Sequence, residues 1–198
     1  MCGIVGYVGS RPAKDVIIDG LRRLEYRGYD SAGLAAVSDG ALHWAKKSGK
    51  LTNLEAELST SPLPESGQGI GHTRWATHGA PTDTNAHPHV SADGTVAVVH
   101  NGIIENFAAL RAELQAEGVS FASDTDTEVV AHVLDIDFTS RLRQDPSAAS
   151  DPTRVADLLV ASMQAVTARL EGAFALLAVT DLAGPSHGDA APDGCHGR

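Results

Sequence analysis

Met1-Cys2-Gly3-Ile4-Val5-Gly6 opens the chain, with a cysteine directly behind the initiator methionine at the head of a short apolar run. Removing Met1, as happens when the second side chain is small, would leave Cys2 with its thiol and its α-amine on one carbon framework. A free amine has a pKa of about 7.7 to 8.0 and a free thiol about 8.5, so at neutral pH part of the amine is neutral and can accept a proton. Such a cysteine is a nucleophile that carries its own base. By itself a cysteine at position 2 is more often an ordinary residue, and the rest of the chain has to decide.

Working outward, Gly3 to Val8 reads as a first strand and Asp15 to Tyr26 as an amphipathic helix, stopped by Gly28. Asp39-Gly40 joins Leu34–Val37 to Ala41–Trp44, the turn chemistry of a two-residue hairpin. Further strands are expected at Gly69 to Trp75, Thr95 to His100 and Ala173 to Thr180. Helices are expected at Glu105 to Glu117, Thr127 to about Asp137, and Thr153 to Leu170 behind an Asp151-Pro152 start. Ser140 to Ser150 reads as a surface loop, and Leu182 to Arg198, rich in Gly, Pro, Ala and Asp, as a disordered tail. The class is α+β with antiparallel pairing.

Composition narrows the function. The 198 residues, 42% hydrophobic and 20% charged, suffice for one sizeable core. A formal net charge of -10 repels phosphate backbones, so neither nucleic acid nor an anionic membrane is an expected partner. No apolar run approaches the roughly 18 residues of a membrane helix and no signal-peptide pattern precedes Gly3, so the expected compartment is the cytoplasm. Cys2 and Cys195 lie at opposite ends and form no disulfide framework.

Four clusters could carry chemistry, and each also has a plain structural explanation. Arg74, in His72-Thr73-Arg74-Trp75-Ala76-Thr77-His78-Gly79, offers a planar fork suited to a carboxylate or is a surface arginine; Trp75 is core packing or a lid. Asn101-Gly102 is a turn after a strand, or aims a side-chain amide and a backbone N–H at one developing negative charge. Thr125 and Glu128 fit a capping box, beside which Asp126 either caps the helix or meets an ammonium group. His72, His78, His87, His89 and His100 invite a metal, but they lack the i, i+4 pairing that marks a zinc site, so neither a metal nor another cofactor is expected.

Together with Glu25-Tyr26-Arg27-Gly28-Tyr29-Asp30-Ser31-Ala32-Gly33, Asn85-Ala86-His87-Pro88-His89, His100-Asn101-Gly102-Ile103-Ile104-Glu105-Asn106 and Thr125-Asp126-Thr127-Glu128, the Cys2 and Arg74 segments closely resemble the class II glutamine amidotransferases. Within that class they resemble the glutaminase domains of the glucosamine-6-phosphate-forming aminotransferases, over about Cys2 to Thr180. The resemblance implies an N-terminal nucleophile hydrolase fold, an αββα sandwich, here incomplete at its C-terminal end. It implies a partial glutaminase domain over residues 1–181, a divergent tail over 182–198, and no sugar-isomerase domains. Cys2 would attack the side-chain amide of L-glutamine, with its own amine as proton carrier and Asn101 with Gly102 holding the oxyanion. Arg74 would grip the α-carboxylate and Asp126 the α-ammonium, with Trp75, Thr77, His78 and His87 around the substrate. Fructose 6-phosphate would be reached only through the absent isomerase domains, and the family is typically homo-oligomeric. The alternative is a fragment without activity that binds glutamine or a partner, and the missing strands would make the chain only weakly stable.

Overall fold

The computed structural model describes residues 2–181; the expected tail, Cys195 included, lies outside the described residues. Strand β1 (Gly3–Val8) is followed by helix α1 (Ala13–Leu24) and a 3₁₀ turn at Glu25–Arg27. Strands β2 (Ser31–Ser38) and β3 (Ala41–Ser48) form the expected hairpin, with Ser38 opposite Ala41. Its turn residues Asp39 and Gly40 both have positive φ, 53° and 74°, the geometry whose twist matches the flanking strands.

Helix α2 (Leu51–Thr60) has no counterpart among the expected elements, although Leu51, Leu54 and Leu58 carry a helical spacing and are buried. Then come β4 (Gln68–Arg74), the short β5 (His89–Val90), β6 (Val96–Ile104), α3 (Phe107–Ala116), α4 (Thr127–Gln144), α5 (Pro152–Thr167) and β7 (Gly172–Thr180). The expected surface loop at 140–150 is instead the end of α4 and a 3₁₀ turn at Pro146–Ser150. Leu142 continues the buried stripe of Leu134 and Phe138, and Ala148 is fully buried, so packing overrides the polar composition. Asp151 caps α5 as expected, accepting the N–H groups of Thr153 and Arg154.

Two antiparallel sheets result, one ordered β1-β4-β2-β3 and the other β5-β6-β7. Their facing sides share a core of Ala35, Val37, Leu42, Ile70, Ala97 and Val99. Helices α1 and α2 cover the outer side of the first sheet through Ile17, Leu21, Leu51 and Leu54, against Leu34. Helices α3, α4 and α5 cover the second through Leu110, Val130, Leu134, Phe138 and Val155, against Val96 and Val98. This is the αββα sandwich. β7 pairs with β6 on one side and, among the described residues, borders on its other side a cavity of ≈ 460 Å³ lined by Leu159, Leu177 and Val179.

Side-chain alternation along β4 organises the centre. Gly69 and Gly71 face α1, and a Cβ at residue 71 would lie 2.2 Å from Ile17 Cγ2, so the helix rests directly on backbone. The alternate residue Ile70 enters the core between the sheets, and His72 on the same side reaches β6. A second close approach occurs on β2, where a Cβ at Gly33 would sit 2.1 Å from the His87 carbonyl oxygen and 2.8 Å from that of Ala45. Backbone cannot yield as a flexible side chain does. Gly33→Ala is expected to cost about 3 kcal/mol of stability, read from the urea midpoint, with the segment before β5 displaced. A loss below about 0.5 kcal/mol would contradict that close crossing.

Candidate active site

The pairing of β1 with β4 sets Gly3 opposite Thr73, so residue 2 falls beside the end of β4. There the Cys2 sulfur accepts the Trp75 backbone N–H at 3.1 Å and lies 3.6 Å from the Trp75 carbonyl oxygen. The sulfur is only partly buried, a position from which a thiolate can meet an incoming group. Trp75 is 54% exposed, and its ring lies over Gly28, where a Cβ would come 2.9 Å from Cζ3. It is therefore not core packing.

Arg74 is no surface arginine; it is 3% exposed. Its guanidinium donates to the carbonyls of His78, Gly79 (3.1 Å) and Ala80 (3.4 Å), tying down the segment that follows β4. Burial lowers its pKa, while Asp30, Cys2 and Asp126 act in the opposite sense, so three acidic groups surround one cation. Asp30 accepts the Ala76 N–H at 2.5 Å, and its own N–H binds the Arg74 carbonyl at 2.7 Å. Thr77 is exposed, and the His78 ring meets Phe107 edge-on at 5.3 Å.

Asn101 and Gly102 do not end a strand. β6 runs on to Ile104 because Asn101–Ile104 pairs with Ala175–Gly172 of β7. Gly102 has φ +125°, and a Cβ there would lie 2.1 Å from the Ala173 carbonyl oxygen, so only glycine fits. Asn101 Oδ1 accepts from His72 Nε2 at 2.8 Å, which joins the second sheet to the strand that carries Arg74.

Asp126 makes no side-chain cap to α4; it is 4% exposed, and its Oδ2 accepts the Ile104 N–H at 2.9 Å. The capping box is half made. Thr125 Oγ1 accepts the Glu128 N–H at 3.4 Å, but the Glu128 carboxylate binds the N–H groups of Ala122 and Ser123, both at 2.7 Å. His87 is buried, its Nε2 2.9 Å from the Thr127 hydroxyl and its ring 4.2 Å from that of His72.

Two further residues, Asn85 of a quoted motif and Lys46 of β3, hold this arrangement together. Asn85 donates to the Ala80 carbonyl and accepts the Asp124 N–H, each at 3.0 Å, linking the segments that carry Thr77 and Asp126. Lys46 donates to the carbonyls of Thr84, Ala86 and Pro88 at 3.0, 2.9 and 3.2 Å, and burial pushes its pKa down to about 8. Their signal was a polar residue where strand alternation or loop composition gave no reason for one. Among the described residues no group of His, Cys, Asp and Glu is arranged to hold a metal ion.

A family model described as a glutamine amidotransferase domain matches residues 60–144. The chain is 59% identical over 179 residues to the glutamine–fructose-6-phosphate aminotransferase [isomerizing] of Streptomyces coelicolor, which covers 90% of this chain and 27% of that protein. Over those residues the chain resembles a glutamine amidotransferase domain. The corresponding Corynebacterium glutamicum protein is 55% identical over 185 residues, covering 90% of this chain and 28% of its own. This chain thus spans little more than a quarter of the length of the curated relatives it matches. Among solved structures, the glutamine phosphoribosylpyrophosphate amidotransferase of B. subtilis superposes with a TM-score of 0.68 at 27% identity, covering 91% of this chain and 35% of that one. The sandwich is accordingly the N-terminal nucleophile fold. No helix among the described residues is long and apolar enough to cross a membrane.

Glu128 gives the candidate site a pH signature. Burial acts to raise its pKa, but His132, 3.6 Å away, and hydrogen bonds from Ser123 and the two backbone N–H groups prevail and bring it to about 2. A carboxyl pKa lower in the folded than in the unfolded state stabilises fully above about 4.5 and loses that contribution as pH falls towards about 2. In melts across this range, the stability gap between wild type and Glu128→Gln should be constant above pH 5 and narrow below it. A gap unchanged down to pH 2.5 would contradict the assignment.

Proposed function

We propose that this chain hydrolyses the side-chain amide of L-glutamine through a thioester on Cys2. The observation that carries the reading is the sulfur of residue 2 at the open end of β1, bonded to the Trp75 N–H and adjacent to the buried Arg74. With Met1 removed, the α-amine takes the thiol proton and the thiolate adds to the amide carbon. The negative charge on the carbonyl oxygen is met by the Asn101 side-chain amide and the Gly102 N–H, donors that matter most when the charge develops. The C–N bond then breaks, the amine returns the proton, and ammonia leaves. Water adds to the γ-glutamyl thioester and releases glutamate.

Arg74 binds the α-carboxylate and Asp126 the α-ammonium, while Trp75, Thr77, His78 and His87 shape the walls around the head group. Two fixed opposite charges discriminate against simple amides, which would leave a buried ion unpaired. In the longer proteins that this chain resembles, the ammonia would serve amination of fructose 6-phosphate to glucosamine 6-phosphate. That half of the reaction needs residues beyond those of the glutaminase domain over 1–181, and we assign this chain the glutaminase half. No cofactor enters the scheme.

Glutamate release from glutamine tests it. Cys2→Ala should lower the rate at least about 1,000-fold, and so should a blocked N-terminus that keeps the thiol but caps the amine. Normal activity in the blocked chain would remove the amine from the mechanism. The substrate contacts separate in kinetics. Asn101→Ala should cut kcat about 100-fold with KM nearly unchanged, whereas Arg74→Lys should chiefly raise KM, because a point charge cannot replace a two-pronged carboxylate contact. The reverse pattern would exchange the two roles.

A further inference from the structure

His72 lies on β4 between Ile70 and Arg74, opposite Ile4 on β1 and Gly33 on β2, and is fully buried between the sheets. Its neighbour on the same side, Ile70, belongs to the apolar core, and an apolar side chain would be the cheap occupant of such a position. An imidazole there carries the cost of two polar nitrogens, of which only one is satisfied. Nε2 meets Asn101 Oδ1 at 2.8 Å, while Nδ1 is buried without a hydrogen-bond partner among the described residues.

That asymmetry has a direction. A neutral imidazole has one N–H donor and one bare acceptor, and a carboxamide oxygen can only accept. The contact therefore requires the proton on Nε2 and leaves Nδ1 as a lone pair, which is less costly to bury unpaired than an N–H. Burial holds the ring neutral, with its pKa pushed down to about 4, so the donor stays the same through the neutral range. The neighbouring His87 ring, 4.2 Å away, is also buried, and burial pushes its pKa well below the ordinary value.

We propose that His72 is a positioning residue that fixes which end of the Asn101 carboxamide is offered to the substrate. With Oδ1 committed to the imidazole, the NH₂ is the end left free to donate to an oxyanion. With the proton on Nδ1 instead, Nε2 would accept from that NH₂, the amide would turn over, and its oxygen would repel the charge it has to stabilise. His72 touches no reacting atom; it acts through Asn101. The inference rests on the glutaminase reading for its kinetic consequence, but the amide orientation is a property of the resting protein.

Two measurements test it separately. Two-bond ¹H–¹⁵N correlation spectra of the wild-type chain at pH 7 should show His72 as the Nε2–H tautomer; the Nδ1–H tautomer would overturn the proposal whether or not the chain is active. In glutamate-release assays, H72F should lower kcat about 100-fold with KM for glutamine within about threefold. H72Q, which keeps an N–H donor on a side chain of similar reach, should recover at least a tenfold part of that loss. The double variant H72F/N101A should match N101A within about twofold, because the second substitution removes nothing more. Losses that multiply, or an H72Q no better than H72F while both melt as wild type, would overturn the positioning role. If H72F fails to fold, H72Q and the tautomer spectrum decide. If wild type releases no glutamate, the proposed function falls and the tautomer spectrum alone judges this inference.

Discussion

The antiparallel pairing of β1 with β4 is the constraint on which the site depends. Gly3 opposite Thr73 leaves residue 2 no position except beside Trp75, where its sulfur receives a backbone N–H at 3.1 Å. The pairing in turn depends on how closely α1 settles on the sheet, which Gly69 and Gly71 permit by offering no side chain. One strand thus performs two tasks. Its glycine face seats a helix, and its opposite face carries Ile70 into the core and His72 to Asn101.

From that strand the site spreads through polar contacts rather than apolar ones. Arg74 gathers the carbonyls of residues 78–80, Asn85 joins that segment to Asp124, and Lys46 collects three carbonyls of residues 84–88. A buried cation that binds carbonyls needs opposite charge nearby, and Asp30 and Asp126 supply it around Arg74. The carbonyls thus order the segment after β4, while Asp30 and Asp126 favour the charged form of Arg74 against the cost of its burial. Rigid placement of this kind suits a reaction whose charge appears at one oxygen only.

The α+β class, the antiparallel pairing and most strand positions were legible in the sequence because alternation and turn chemistry are local, while the αββα arrangement was implied only by the family resemblance. Asp39-Gly40 specified its hairpin, and Asp151-Pro152 the start of α5. Where the reading departed from the structure, a distant partner decided. β6 continues through Asn101-Gly102 because β7 pairs with it, and no feature of residues 101–104 alone announces a partner seventy residues away. α4 runs on past Ser140 because Leu142 is buried in the core beneath the second sheet's helices. A surface position stayed open for Arg74 because nothing in its neighbours reveals that three carbonyls will fold back over it. The residues of the site were legible as motifs, while their support, His72, Asn85 and Lys46, emerged only from contacts across the fold.

The central claim is that Cys2, with its own amine free, forms a covalent bond to the glutamyl group. Rapid-quench mass spectrometry of the chain mixed with glutamine tests it most directly. The peptide beginning at Cys2 should gain the mass of one γ-glutamyl group within the first turnover, lose it on treatment with hydroxylamine, and show neither change when the amine is blocked. A chain that releases glutamate with no adduct on that peptide, or with the adduct on another residue, would contradict the account.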